Sequence, residues 1–331
     1  MFYRTLENAE VQCVLCPHNC VIKSGKRGIC GVRENQKGTL VSLVYGKIVS
    51  CNLDPIEKKP LFHFQPGSFS LSIATVGCNF QCLHCQNHEI SQMPAGHDRI
   101  IGTDMTPERI VDSAEQKGCK SISYTYTEPT IYFEFAYETA RQASEKGIKN
   151  VFVTNGFTNP EPLEYVSPYL HGANVDLKAF SEEFYRKVCK ARLGPVLDAL
   201  RMMKGLGIWV EITTLIIPGM NDSERELREL ARFILSLGKD VPWHISAFYP
   251  TYRMTDRPRT PVKTLQWARS LGMEEGLEFV YTGNVPGDEG ENTYCPGCGA
   301  AIIKRHGFRV LGMELEGTRC AQCRREIPLI L

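Results

Sequence analysis

Fourteen cysteines stand in a chain of 331 residues, and eleven of them fall into three groups whose spacing suits metal binding. Cys78, Cys82 and Cys85 form a C-x3-C-x2-C run, and Cys13, Cys16, Cys20 and Cys30 form a C-x2-C-x3-C-x9-C run. Cys295, Cys298, Cys320 and Cys323 form two C-x2-C knuckles separated by 21 residues. Residues 1–7 lack the apolar stretch of a secretion signal, so a cytoplasmic location is expected. Thiols stay reduced there, and metal ligation is a better reading of these groups than a disulfide framework. Cys51, Cys119 and Cys189 stand alone and read as small buried apolar side chains.

The segment from Gly77 to Asn87 follows a predicted strand, so the central triplet sits on a loop at that strand's carboxyl end. Three thiolates on so tight a loop can hold three irons of a 4Fe-4S cluster and leave the fourth iron open. An open iron can chelate the amino and carboxylate groups of S-adenosylmethionine (SAM) and pass one electron to its sulfonium. The products would be methionine and a 5'-deoxyadenosyl radical that abstracts hydrogen from a substrate.

At this point the sequence resembles the radical SAM superfamily, whose defining feature is C-x3-C-x2-C after the first barrel strand. Where many members carry an aromatic residue before the third cysteine, this chain has His84, which the resemblance would set near the adenine. The barrel also resembles the activases of glycyl radical enzymes, such as the pyruvate formate-lyase activating enzyme. Thr125-Tyr126-Thr127-Glu128-Pro129-Thr130 stands where those proteins carry Gly-Gly-Glu-Pro, so Glu128 would accept from the SAM ammonium group. Val153-Thr154-Asn155-Gly156 and Asp176-Leu177-Lys178 resemble motifs that reach SAM, with Lys178 against its carboxylate and Asp176 orienting the lysine. Glu211, in the stretch 211–222, resembles the strand that passes the ribose side. Without the resemblance, Glu128 would cap a helix over 131–145 and Lys178 with Asp176 would be a surface ion pair. Nearly the whole chain resembles the radical SAM protein of the AmmeMemoRadiSam system, notably over 13–20, 25–33 and 53–61. That resemblance implies Memo-like and AMMECR-type protein partners.

The elements that must position these loops are βα units. Apolar, β-branched runs at 71–75, 121–124, 150–153, 173–176, 209–217 and 243–248 predict six strands, alternating with helical periodicity. The expected fold is α/β: a partial (β/α)6 TIM-like barrel over 66–288, with functional groups at the carboxyl ends of its strands. Thr106-Pro107-Glu108 and Asp222-Ser223-Glu224 read as helix starts. His244 and Tyr249, beside the sixth strand, read as structural. Residues 1–65 predict a cysteine-rich metal-binding segment and 289–331 a four-cysteine, zinc-ribbon-like tail.

The paired knuckles of that tail favour a closed zinc tetrahedron, with rubredoxin-like iron as the alternative, since four thiolates suit both. Four N-terminal thiolates fit either zinc or a second 4Fe-4S cluster. The 38 basic and 37 acidic side chains nearly cancel, and no apolar run approaches bilayer length, so neither nucleic acid nor a membrane is an expected partner. A one-electron donor such as flavodoxin or ferredoxin is expected, with Lys58, Lys59 and Arg27 either receiving it or forming a solvated basic face. The chain thus reads as a radical SAM enzyme of open substrate, a small molecule or a protein residue. The alternative is a noncatalytic iron-sulfur or zinc scaffold or electron carrier.

Overall fold

The computed structural model describes residues 1–94 and 99–331. Runs such as Ser121–Tyr124 and Trp243–Ala247, buried at every position, mark strands covered on both faces. Eight strands lie side by side in chain order: β1 (Ser50–Pro55), β2 (Phe69–Ala74), β3 (Ser121–Tyr124), β4 (Lys149–Thr154), β5 (Gly172–Asp176), β6 (Trp209–Ile216), β7 (Trp243–Ala247) and β8 (Val280–Gly283). β1 runs antiparallel to β2, and every later pair is parallel. Among the described residues no ladder joins β1 to β8, so the sheet keeps two edges.

All six expected runs are strands, β2 to β7, and two further strands extend the sheet. The segment forming β1, Ser50-Cys51-Asn52-Leu53-Asp54-Pro55, is polar and ends in proline, so it carries no strand signal. It is nonetheless suited to an edge, where an unpaired N–H and a proline are tolerated. β8 has only four residues, too few for periodicity to separate it from the preceding helix end.

Each parallel step after β2 is made by a helix: α1 (Pro107–Gln116), α2 (Phe133–Glu145), α3 (Pro160–Val166), α4 (Gly194–Gly205), α5 (Glu224–Leu237) and α6 (Val262–Glu274). The expected starts hold locally. Thr106 Oγ1 accepts from Arg109 N, and Ser223 Oγ accepts from Glu226 N, each at 3.3 Å. Ile110, Val111 and Ala114 of α1, and Leu227, Leu230 and Ala231 of α5, turn inward. α2 begins at Phe133 rather than 131, because Pro129–Tyr132 winds as a tight 3-10 turn opened by the Glu128 carboxylate accepting from Thr130 N.

The N-terminal segment folds as short antiparallel strands, Tyr3–Thr5 with Val11–Cys13 and Val21–Ile22, then Arg33–Gln36 with Thr39–Ser42. Its buried Val11, Leu15, Ile22 and Val32 belong to one core with the sheet. The C-terminal residues build a second small core, with Ile302, Ile303, Cys295 and Cys320 packed against Phe62, Phe279 and Tyr281. The last residues return to the sheet's amino end, where Ile330 N donates to His63 O at 2.9 Å. Among the described residues no helix is long and apolar enough to cross a membrane.

Candidate active site

The cysteine loop leaves β2 through Gly77, whose φ of +101° suits glycine. A Cβ there would lie 2.6 Å from Val32 Cγ1 and 3.1 Å from Cys30 O, so this turn is pressed against the N-terminal segment. The loop's far side is held by backbone bonds from Gln81 N to Cys189 O and from Leu83 N to Val188 O, each 3.0 Å. Phe80 N donates to Cys78 Sγ at 3.4 Å, and Cys85 Sγ lies 3.2 Å from Ser91 Oγ. Burial, then the Glu128 charge, pushes the Cys78 thiol well up, so a buried thiolate there calls for a cation such as iron.

Cys78, Cys82 and Cys85 line a cleft with about 1440 Å³ of empty space, walled by the carboxyl ends of the strands. His84, Glu128, Thr154, Asn155, Asp176 and Lys178 line it too, so six of the seven expected SAM contacts converge here. Glu128 is buried at the end of β3. Its Oε1 accepts from Thr130 N (3.1 Å), Thr130 Oγ1 (2.8 Å) and Thr154 Oγ1 (2.8 Å), while Oε2 accepts from Asn155 N (2.8 Å). Burial raises its pKa, and these donors oppose that rise. Oε2 therefore keeps capacity for one further donor. Asn155 Nδ2 donates to Asn79 Oδ1 at 2.8 Å and lies 3.8 Å from Cys78 Sγ, tying the end of β4 to the cysteine loop.

Lys178 Nζ donates to Asp176 Oδ2 at 2.9 Å, and its side chain is 16% exposed. Burial alone would lower its pKa, but Asp176 and the thiols of Cys82 and Cys189 hold it well above the usual lysine value. His84 is buried, and its Nδ1 has no hydrogen-bond partner. Burial, then Lys178, pulls its pKa down to about 3, so it is a neutral imidazole at the cleft wall.

Glu211 is not brought to this cleft. Thr213, two residues along β6 and on the same face, does line it; Glu211 lies one layer deeper, toward the amino end. There its carboxylate accepts from Phe62 N (2.9 Å), His63 N (2.8 Å), Trp209 Nε1 (3.1 Å) and His244 Nε2 (2.7 Å), leaving nothing for a ribose. Alternation along a strand gives the face but not the depth.

Sequence reasoning missed a buried cluster on the cleft's rim. Lys59, expected on a basic face, is 1% exposed and donates to Asp54 Oδ2 at 2.6 Å, while Lys58 donates to Asp54 Oδ1 at 2.8 Å. The Tyr126 hydroxyl donates to the same carboxylate, and the Lys59 ammonium lies 4.4 Å from its ring centroid. Burial brings the Lys59 pKa down to about 8. The adjacent lysines in a polar stretch were the only available signal. Cys189, read as core filler, is buried as expected, and its thiol is a hydrogen-bond partner of Cys82.

The flanking cysteine sets differ in shape. In the tail, Cys295 Sγ lies 3.5 Å from Cys323 Sγ and Cys298 Sγ 3.8 Å from Cys320 Sγ, with all four sulfurs within 4.8 Å of one another. Cys13, Cys16, Cys20 and Cys30 instead line a shared cavity and form no such tight group.

A family model described as the radical SAM superfamily matches residues 72–234, which hold the cysteine triplet and every cleft residue named from sequence. An uncharacterized protein of Methanocaldococcus jannaschii is 49% identical over 100% of this chain and 99% of its own length. The pyruvate formate-lyase-activating enzyme of Clostridium pasteurianum is 22% identical over 49% of this chain and 67% of its own. Among solved structures, Streptococcus suis SuiB bound to S-adenosylmethionine superposes with a TM-score of 0.51 at 16% identity, over 65% of this chain and 51% of that one. This last likeness is one of fold.

Proposed function

Since the chain belongs to the radical SAM superfamily, which implies a 4Fe-4S cluster and SAM, we propose that Cys78, Cys82 and Cys85 hold that cluster and the strand ends around them hold SAM. The carrying observation is the convergence in one cleft of three thiolates, a lysine paired with Asp176, and a carboxylate with a free acceptor position. When bound, the cluster and SAM together supply methionine and a 5'-deoxyadenosyl radical able to abstract a hydrogen atom.

The chain's own residues bind and orient. Glu128 Oε2 would accept a hydrogen bond from the SAM ammonium group, and Lys178, steered by Asp176, would neutralise the SAM carboxylate. Thr154 and Asn155 keep Glu128 in place, and neutral His84 offers an uncharged ring to the adenine. Lys58, Lys59, Asp54 and Tyr126 stand at the rim where a substrate enters. The sheet is read as an incomplete barrel, and the C-terminal four-cysteine tail as a structural zinc ribbon, on its short sulfur distances. The substrate is a small molecule or a residue of a partner protein, with Memo-like and AMMECR-type proteins as candidate partners. A flavodoxin or ferredoxin would supply the electron.

The test is chromatography of 5'-deoxyadenosine from anaerobically reconstituted protein given dithionite and SAM, beside the Cys78→Ala/Cys82→Ala/Cys85→Ala variant. Product from the unmodified protein alone supports the reading. Its absence despite a full, reduced cluster leaves the scaffold or electron-carrier alternative.

A further inference from the structure

Cys13, Cys16, Cys20 and Cys30 share their ligand type and number with the C-terminal set, and their geometry separates the two. A zinc ion with Zn–S bonds of about 2.3 Å draws its four sulfurs to within about 3.8 Å of one another. Two C-terminal sulfur pairs stand at 3.5 and 3.8 Å, and among the described residues theirs is the cysteine group whose ligand atoms all lie within 4.8 Å. The N-terminal cysteines all line one cavity and are not drawn together to that distance. A cubane asks for this arrangement, because each thiolate binds a different iron and inorganic sulfide fills the room between them. Cys78, Cys82 and Cys85 likewise share no such tight grouping.

The position of this cavity matters as much as its size. Asn79 lines it, while the adjoining Cys78 lines the SAM cleft. His18, on the cavity wall, bonds through Nε2 to Asn79 O at 2.8 Å, and the Cys30 carbonyl presses on Gly77. Thr130 forms another part of the same wall and donates its hydroxyl to Glu128. Neighbouring residues of the same loops thus line the two sites. Arg33, 2% exposed on the cavity wall, places positive charge beside thiolates, with Glu134 bonded bidentately on its other side.

We infer that the N-terminal quartet holds a second 4Fe-4S cluster, fully ligated by cysteine, which serves as a one-electron relay to the site at Cys78. Four cysteines leave no iron open for substrate, so its role is confined to electron transfer and to anchoring the segment. One electron enters from a reduced flavodoxin or ferredoxin, which is oxidised by one electron, and the same electron leaves toward the cysteine-loop site. The relay role rests on the proposed SAM chemistry; the metal's identity does not.

Metal and sulfide analysis of the unmodified, anaerobically reconstituted chain tests that identity first. The expected result is about eight irons and eight sulfides with one zinc per chain, whereas about four irons with two zincs overturns it. The Cys78→Ala/Cys82→Ala/Cys85→Ala variant should retain about four irons and a 4Fe-4S paramagnetic signal that SAM does not perturb. Zinc without sulfide in that variant would refute the inference. In Cys16→Ser/Cys20→Ser, with the fold checked by circular dichroism, the signal of the remaining cluster should still appear with dithionite, but its reduction by flavodoxin hydroquinone should be lost. Undiminished flavodoxin reduction would overturn the relay. Failure of the SAM reading would show separately, as a signal in the unmodified chain that SAM leaves unchanged.

Discussion

The central sheet buries one carboxylate toward each end, Glu211 toward the amino end and Glu128 beyond the carboxyl end, and the two stand in different surroundings. At the amino end, Glu211 receives four donors on its two oxygens. His63 bonds through Nδ1 to Pro328 O at 2.8 Å and through Nε2 to the Tyr281 hydroxyl at 2.6 Å. At the carboxyl end, Glu128 has spare acceptor capacity, His84 Nδ1 has no partner, and three thiols face open space. Leaving a buried polar group unsatisfied costs about 1–3 kcal/mol. The bonds of Glu211 and His63 tie the 60s loop and the C-terminal tail to the strands. The carboxyl end carries open valences that a ligand can close.

Four measurements can break or sharpen that contrast. The largest effect is expected from Cys78→Ala/Cys82→Ala/Cys85→Ala, which should abolish 5'-deoxyadenosine formation while moving the thermal unfolding midpoint little; a fall to an unfolded chain would mean that the carboxyl end is structural as well. Next, Glu211→Ala should cost about 3–5 kcal/mol in denaturant unfolding, because four buried donors lose their acceptor, yet leave SAM affinity unchanged in protein that remains folded. Weakened SAM binding without lost stability would return Glu211 to the cofactor site.

Third, Lys178→Met keeps most of the side-chain volume and removes one buried charge. SAM affinity read by calorimetry should fall by roughly ten- to a hundredfold, corresponding to about 1.5–3 kcal/mol for a hydrogen bond to a charged group, with iron content unaltered. The smallest effect concerns pH. Burial, against the pull of Glu211, lowers the His63 pKa to about 4, while the unfolded chain titrates near 6.5. Between those values the unfolded state binds more protons. Stability is then complete above about pH 6.5 and falls toward pH 4 by about 1.4 kcal/mol per unit. Half-buried His171, lowered to about 4 by burial and then Lys149, adds slope in the same window. Denaturant midpoints from pH 7 to 4 should show a shallower decline in His63→Asn than in the unmodified chain, and identical slopes would argue against a neutral His63.

The contrast also bears on the two complete cysteine quartets. The C-terminal set closes on itself beside its own small core, and the N-terminal set opens around a cavity within the main core. On the reading proposed above, the same four ligands would take different metals because the surrounding chain sets the distance between sulfurs.

Much of this was legible before any coordinates. Ligand identity is a matter of residue type and close spacing, so the cysteine groups could be read directly. The parallel strands announce themselves by apolar, β-branched runs buried on both faces, and α1 and α5 by their caps. Chain order put these loops at strand ends, but it was the resemblance to the radical SAM superfamily that singled out Glu128, Thr154, Asn155, Asp176, Lys178 and His84, which the structure gathers in one cleft. Depth along a strand, burial of a charge and distances across the fold depend on residues far apart in sequence. Glu211 is taken by Phe62 and His63, some 149 and 148 positions away, and Lys59 is buried by folding against Asp54 and Tyr126, 67 residues distant. Local patterning determined which side chains could do chemistry; long-range packing decided which retain free valence and how far apart the thiols stand.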